Sequence, residues 1–244
     1  MTASNNMNVD PVLLNVACGW AIKAYKDQNK DAEKIESKLT STTAFFIRRK
    51  TIDIVAFRGT AEGQDALTDA FIFPLPWAGR LCHGGFRIAI KSIWKEIEEK
   101  LDYKKRTLFC GHSLGGALAE LAAAKAHKKH SNLNLVTFGK PNTFFKGFKR
   151  PLQLDNQVSV VHGSDIVARI PRLLYGASCS QDQLYFANNG ACRINPDKDF
   201  KKSDFLSEKD EMLSDHFMKG YRKSLDVFLT DWEKSKKKEG LKGA

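Results

Sequence analysis

No stretch of this 244-residue chain is apolar for long enough to cross a bilayer as a helix, which takes about 20 residues. The first ten residues, Met1 to Asp10, are polar and lack the basic start and apolar run of a secretory leader. A cytoplasmic protein is therefore expected, with a leaderless export route also open. Cysteine is sparse: Cys18, Cys82, Cys110, Cys179 and Cys192 are odd in number and include no Cys-x-x-Cys spacing. That pattern argues against a disulfide framework and against a zinc site. Reduced thiols are expected, Cys179 and Cys192 being the one pair that could close in an oxidising compartment.

Equally absent are a His-x-x-x-His pair, a fixed-period repeat and a Pro/Gly/Ser-rich linker. Residues 1–232 are thus expected to form one domain, followed by a Lys-rich, disordered tail over 233–244. Acidic residues are in short supply, 28 against 39 Lys and Arg, leaving a formal charge of +11. Such an excess invites an anionic partner. Part of it is local to the tail Glu233-Lys234-Ser235-Lys236-Lys237-Lys238. No nucleic-acid motif and no aromatic-basic stripe accompanies the charge, so a nucleic acid is not the expected partner. A transient contact with an anionic membrane surface fits better.

What is present is an alternation of strand-like and helix-like segments. Asp10-Pro11 reads as an N-cap followed by proline at the first helical position, and Leu13, Val16, Trp20 and Ala24 then recur at helical spacing over 11–27. Residues 43–47 and 51–57 are strand-like, the second nearly all apolar as befits a strand covered on both faces. Phe86, Ile90, Ile93, Trp94, Ile97 and Leu101 mark an amphipathic helix. A short strand over 106–110 leads into an alanine-rich helix that ends at Lys125 to His130. Further strands are read at 133–138 and 158–162, then a polar, weakly patterned stretch over 174–210, then a helix near 214–230. The fold class is α/β, with a mostly parallel central sheet and helices on both faces.

The most informative string is Phe109-Cys110-Gly111-His112-Ser113-Leu114-Gly115-Gly116-Ala117-Leu118-Ala119. It holds Gly-x-Ser-x-Gly between a strand and a helix, the arrangement that pushes a serine hydroxyl into the open on a sharp turn. The backbone N–H of Leu114, at the helix N-terminus, is then placed to hold a developing oxyanion. Gly111 to Ala119 resembles the elbow of the class 3, fungal-type lipases. Ala56-Phe57-Arg58-Gly59-Thr60, His83-Gly84-Gly85-Phe86 and Val136-Thr137-Phe138-Gly139-Lys140-Pro141 resemble further motifs of that family, in the same order. The likeness runs over about residues 40–230 and implies an α/β-hydrolase fold, a serine esterase activity on lipid-like acyl esters, and no cofactor. It also implies that Thr60 supplies the second oxyanion donor through its backbone N–H.

A serine needs a histidine to take its proton and a carboxylate to orient that histidine, in the chain order Ser, Asp or Glu, His. Of the histidines after Ser113, His127 and His130 fall at the far end of the elbow helix and read as surface residues. His162 ends a strand ahead of the best acid, so His216 takes the role of base. Asp165 lies just past the carboxyl end of the strand over 158–162, where catalytic groups gather in such sheets. Asp165-Ile166-Val167-Ala168-Arg169-Ile170-Pro171 resembles the family's segment around its acid, with Ala168 where the family has proline. Asp215 is a rival that reads as a helix cap. Arg58 is expected to brace its loop by pairing with Asp65 or Asp69, and the apolar run Phe71 to Trp77 reads equally as a flap or as an edge strand. An acyltransferase and a non-catalytic lipid-binding module on the same scaffold are the alternative functions.

Overall fold

The computed structural model describes residues 10–26, 29–60, 73–145, 154, 156–163, 165–169, 182–207 and 216–240. In chain order the elements are α1 (Pro11–Lys23), β1 (Glu33–Ser37), β2 (Thr42–Arg48), β3 (Ile52–Phe57), β4 (Pro74–Trp77), β5 (Arg80–His83), α2 (Gly84–Lys100), β6 (Arg106–His112), α3 (Leu114–Ala126), β7 (Leu133–Phe138), β8 (Asn156–His162), β9 (Asp182–Phe186), β10 (Cys192–Ile194), α4 (Lys198–Ser207) and α5 (Met218–Gly240). Asp10 caps α1 by accepting the Val12 N–H at 2.9 Å, as the Asp-Pro pair suggested. Among the described residues no helix is long and apolar enough to cross a membrane.

Eight strands form one sheet in the order β1-β2-β3-β6-β7-β8-β9-β10. Strands β3, β6, β7, β8 and β9 run parallel, while β1, β2 and β10 add antiparallel edges. Period-two alternation divides the apolar residues cleanly. Val55, Phe57, Phe109, Leu133 and Leu135 face α2 and α3. Ile54, Ala56, Leu108, Cys110, Val136 and Phe138 face α1 and α5. Because both faces are covered, the central strands read as unbroken apolar runs.

Several weakly patterned segments prove ordered. Residues 74–83 form a β4–β5 hairpin outside the main sheet, which docks when Trp77 Nε1–H donates to the Leu121 carbonyl at 2.8 Å. The polar 174–210 stretch supplies β9, β10 and α4. These strands escaped notice because they are only five and three residues long, too short for a period to register. Helix α5 continues through the Lys-rich segment to Gly240, where an irregular tail from 233 was expected. Lysine and glutamate are good helix formers even on a fully solvated stretch. Residues 61–72 lie outside the described part, and with them the flap and the pairing of Arg58 with Asp65 or Asp69.

Beneath the elbow helix lies a buried ion pair, Lys140 Nζ to Glu120 Oε2 at 3.1 Å. Glu120 is wholly buried and Lys140 nearly so. Removing one member of such a pair strands a charge in the interior. Lys140→Met is expected to lower the unfolding free energy by about 3–5 kcal/mol in urea titrations, and the double replacement with Glu120→Leu to recover most of that loss. A double variant as unstable as the single one would show that the pair itself was not the issue.

Candidate active site

Strand β6 ends at His112 and α3 begins at Leu114, so Ser113 alone makes the turn. Its backbone sits at φ 56° and ψ −129°, a left-handed conformation that costs a residue with a side chain about 1–3 kcal/mol. The turn is held from both sides: Ser113 N–H donates to the Phe138 carbonyl at 3.0 Å, and Gly116 N–H to the Ser113 carbonyl at 2.9 Å. The sharp turn also brings α3 hard against the end of β3. A Cβ on Gly115 would lie 2.2 Å from the Phe57 carbonyl oxygen, which only glycine tolerates. Leu114 N–H, at the first position of α3, precedes the Gly116–Ser113 bond and lies next to the serine at the positive end of the helix.

Across the end of β7, His216 and Asp165 meet although 51 residues separate them in sequence. His216 Nδ1 lies 3.0 Å from both Asp165 Oδ1 and Oδ2. Asp165 is fully buried, and Oδ1 also accepts the Val167 N–H at 2.9 Å. Tyr221, one helical turn into α5, donates its hydroxyl to Oδ2 at 2.5 Å and accepts the His162 N–H at 3.2 Å. Gly139 forms the floor of this cluster: a Cβ there would fall 2.5 Å from Asp165 Oδ2 and 3.2 Å from His216 Nδ1, and its φ is +52°. Since Ser113 bonds to Phe138 and Gly139 supports the His216–Asp165 pair, consecutive residues of one strand end carry both halves of the site. His216 sits just ahead of α5, which begins at Met218 where a helix from near 214 was expected, and Asp215 lies outside the described residues.

Thr60 follows by three residues the end of β3, whose last residue, Phe57, is the one that meets Gly115. Its Oγ1 is buried and, among the described residues, has no hydrogen-bond partner. A buried hydroxyl in that state costs free energy unless something else supplies a partner.

The model of the family described as lipase (class 3) matches residues 54–175, half of the chain. The chain belongs to the class 3 lipase family. A secreted mono- and diacylglycerol lipase of Fusarium solani is 32% identical over 136 residues, a match taking in 52% of this chain and 39% of that protein. A lipase of Rhizopus niveus is 31% identical over 160 residues, 57% of this chain and 40% of its own length. The chain thus spans about two fifths of the curated relatives it matches. Among solved structures, a lipase from Rhizopus microsporus var. chinensis superposes with a TM-score of 0.69 at 24% identity, covering 88% of this chain and 90% of that one. Lip2 lipase from Yarrowia lipolytica gives 0.67 at 17%, covering 87% and 94%. At these identities the likeness is one of fold, the α/β-hydrolase fold of the class 3 lipases.

The expected cytoplasmic location does not survive this comparison, because the Fusarium relative is a secreted enzyme. The expectation rested on a polar N-terminus without a leader pattern and on the lack of an apolar run long enough to span a bilayer, and neither reports on a leaderless route. Among the cysteines, Cys18, Cys82 and Cys110 are buried free thiols and Cys192 is a half-buried one, while Cys179 is outside the described residues. Burial pushes the Cys82 and Cys192 thiols up to about 12, the nearby Arg87 charge opposing it at Cys82. They are correspondingly unreactive.

Two further residues of the candidate site had no role assigned from sequence: His112, which lies inside the elbow string, and Tyr25, which lies in no motif. His112, next to the serine, is buried, and its Nε2 bonds to the backbone carbonyl of His216 at 2.6 Å. Its Nδ1 lies 2.7 Å from the hydroxyl of Tyr25, just past α1. The short bond to a carbonyl assigns the proton to Nε2, so Nδ1 accepts from tyrosine. His112 therefore latches the segment carrying His216 onto the elbow, and Tyr25 fixes the latch. Burial, with His216 facing it, holds this imidazole down from 6.5 to about 3, the bond to the carbonyl opposing the shift. Such a group is neutral in the folded chain but protonates at ordinary pH when unfolded. Its contribution is complete above about pH 6.5 and is lost as pH falls toward 3. His83, held at about 4 by burial, acts in the same direction.

His112→Leu is expected to cost about 1–3 kcal/mol for each of the two partners it orphans. Its stability should also fall less steeply between pH 7.5 and 5 than the parent's, by urea unfolding at both values. Parallel pH dependences in the two proteins would remove His112 from this account.

His130 corrects the surface reading. It is 3% exposed, lies 3.0 Å from Thr107 Oγ1 through Nε2 and packs edge-on against Tyr103. It is a satisfied interior histidine at the opposite end of α3 from Ser113.

Proposed function

We propose that this chain is a serine hydrolase that cleaves lipid-like carboxylic esters through an acyl-enzyme on Ser113, within a single α/β-hydrolase domain. The observation that carries the reading is a serine held at positive φ on a strand-to-helix turn, one strand from a buried histidine–aspartate pair with Gly139 at the seam. His216 Nε2 takes the hydroxyl proton as Ser113 Oγ attacks the ester carbonyl carbon. Asp165 keeps His216 in the tautomer whose Nε2 is free to accept, and stabilises the imidazolium that forms. The N–H groups of Leu114 and Thr60 hold the oxyanion, each worth about 2.7–4 kcal/mol in the transition state. Collapse of the tetrahedral intermediate expels the alcohol, which receives its proton from His216. Water then attacks the acyl-enzyme, His216 again taking the proton, and it returns that proton to Ser113 Oγ as the Oγ–carbon bond breaks and the carboxylic acid leaves.

Lipid-like acyl esters are favoured as substrates because relatives over this stretch are named lipases, one of them for mono- and diacylglycerols. Such substrates present themselves at interfaces, and a charge of +11 suits a transient contact with an anionic surface. A fluorophosphonate probe with mass mapping tests the reading. One adduct per chain on Ser113, with parallel loss of p-nitrophenyl butyrate turnover, is expected. An adduct on another residue, or turnover that survives full labelling, sinks it.

A further inference from the structure

Away from the Ser113 end of α3, a groove of about 440 Å³ runs between the tip of the β4–β5 hairpin, the outer face of α2 and the last turn of α3. Its walls are Trp77 and Trp94, edge to face at 6.3 Å between ring centres. The charged residues lining it are Arg87, Lys91, Lys95 and Lys125, with no carboxylate among the lining residues. Lys128 extends the set, its Nζ about 4.0 Å from where a Cβ on Gly79 would lie.

The helices do not account for this collection of charge. Arg87, Lys91 and Lys95 follow one another at four-residue intervals on α2, a spacing that sets like charges side by side and weakens a helix. Arg87 also occupies the first turn, where the helix dipole disfavours a cation. Among the described residues the neutralisation of these cations is slight. Lys95 reaches Glu99 only at 3.9 Å with both side chains exposed, and Lys125 lies over the Trp77 ring at 5.2 Å. The nearby Glu98 is taken by Lys129, Tyr103 and the Trp94 Nε1–H. Arg87, one of the lining residues, donates its Nε–H to the Pro76 carbonyl at 3.2 Å, a neutral acceptor that leaves its charge unpaired by that bond. Among the described residues, cations with so little opposing charge gathered in one concave site match a phosphate-bearing surface.

We propose that this groove binds the phosphomonoester headgroup of anionic lipids and seats the protein on the bilayer surface. The proposal deepens the lipid-ester reading and rests on it for the choice of a membrane over a dissolved anion. The test is co-sedimentation of the full chain with phosphatidylcholine vesicles that do or do not contain phosphatidic acid, beside the Lys91→Gln/Lys95→Gln/Lys125→Gln variant. Each lysine near an anionic surface contributes about fivefold in affinity, so the triple variant is expected to bind roughly a hundredfold more weakly. Binding of the parent should also fall on raising salt from 0.1 to 0.5 M. Equal binding by parent and variant, or parent binding indifferent to phosphatidic acid, overturns the proposal. So does calorimetric binding of dissolved inositol hexakisphosphate, lost in the variant, with no vesicle binding by either protein; the groove would then serve a soluble anion. Turnover of p-nitrophenyl butyrate is measured alongside and should be the same in both proteins. Its absence from the parent would count against the hydrolase and not against the groove.

Discussion

Ser113→Ala is expected to reduce kcat/KM for p-nitrophenyl butyrate by about 10⁶, leaving only the residual rate that the oxyanion donors and binding supply. The size follows from the chemistry: without Oγ there is no acyl-enzyme, and His216 and Asp165 then have no nucleophile to serve. The fold should be untouched, because alanine at φ 56° carries the same strain as serine and Ser113 has no side-chain role in capping α3. Ser113→Gly adds a control of a different kind. It should be as inactive as the alanine variant yet more stable by about 1 kcal/mol in urea, since glycine relieves the strain but loses more entropy on folding. Inactive variants of equal stability would mean that the turn is unstrained. An alanine variant with parental turnover would remove Ser113 from the reaction altogether.

Asp165→Asn is expected to lower kcat by roughly 10³–10⁴ with KM little changed. The carboxylate accepts at every contact it makes: from His216 Nδ1, from the Val167 N–H and from the Tyr221 hydroxyl. An amide can accept at one end only. Its NH₂ must then face His216 or Tyr221, and toward His216 it favours the tautomer that carries the proton on Nε2, where it cannot take one from serine. Stopped-flow acylation separates this from a binding defect, since the burst rate falls and its amplitude stays. Tyr221→Phe, which keeps the ring and removes one donor, should show a loss much smaller than that of Asp165→Asn. If Asp165→Asn retained more than a tenth of parental kcat, another carboxylate would have to be orienting His216.

Much of the architecture was legible because it is written in local pattern. The apolar runs of β2, β3, β6 and β7 are long enough for two-sided burial to register as unbroken hydrophobicity, and α2 shows its buried face every three or four residues. The elbow was legible because its demands are steric and fall on adjacent residues: a turn at Ser113, and no room for a Cβ at Gly115. Asp165 and His216 were picked out by chain order and by their position beyond a strand or before a helix, which narrows the choice without measuring any distance.

What only the tertiary structure decided are the pairings between segments far apart in sequence. Nothing local links Tyr25 to His112, His112 to the His216 carbonyl, Tyr221 to Asp165 or Lys140 to Glu120, because each bond is made by the order of strands in the sheet. The same holds for His130, whose place past the end of α3 suggested solvent until packing against Thr107 and Tyr103 closed over it. It holds too for the groove, where Arg87, Lys91 and Lys95 on one helix meet Lys125 from another only because the β4–β5 hairpin docks its tryptophan between them. By itself the sequence determined which residues could do chemistry and which faces had to be buried. The fold decided which of those residues meet, because hydrogen bonds and charges act over a few ångströms of space and take no account of separation along the chain.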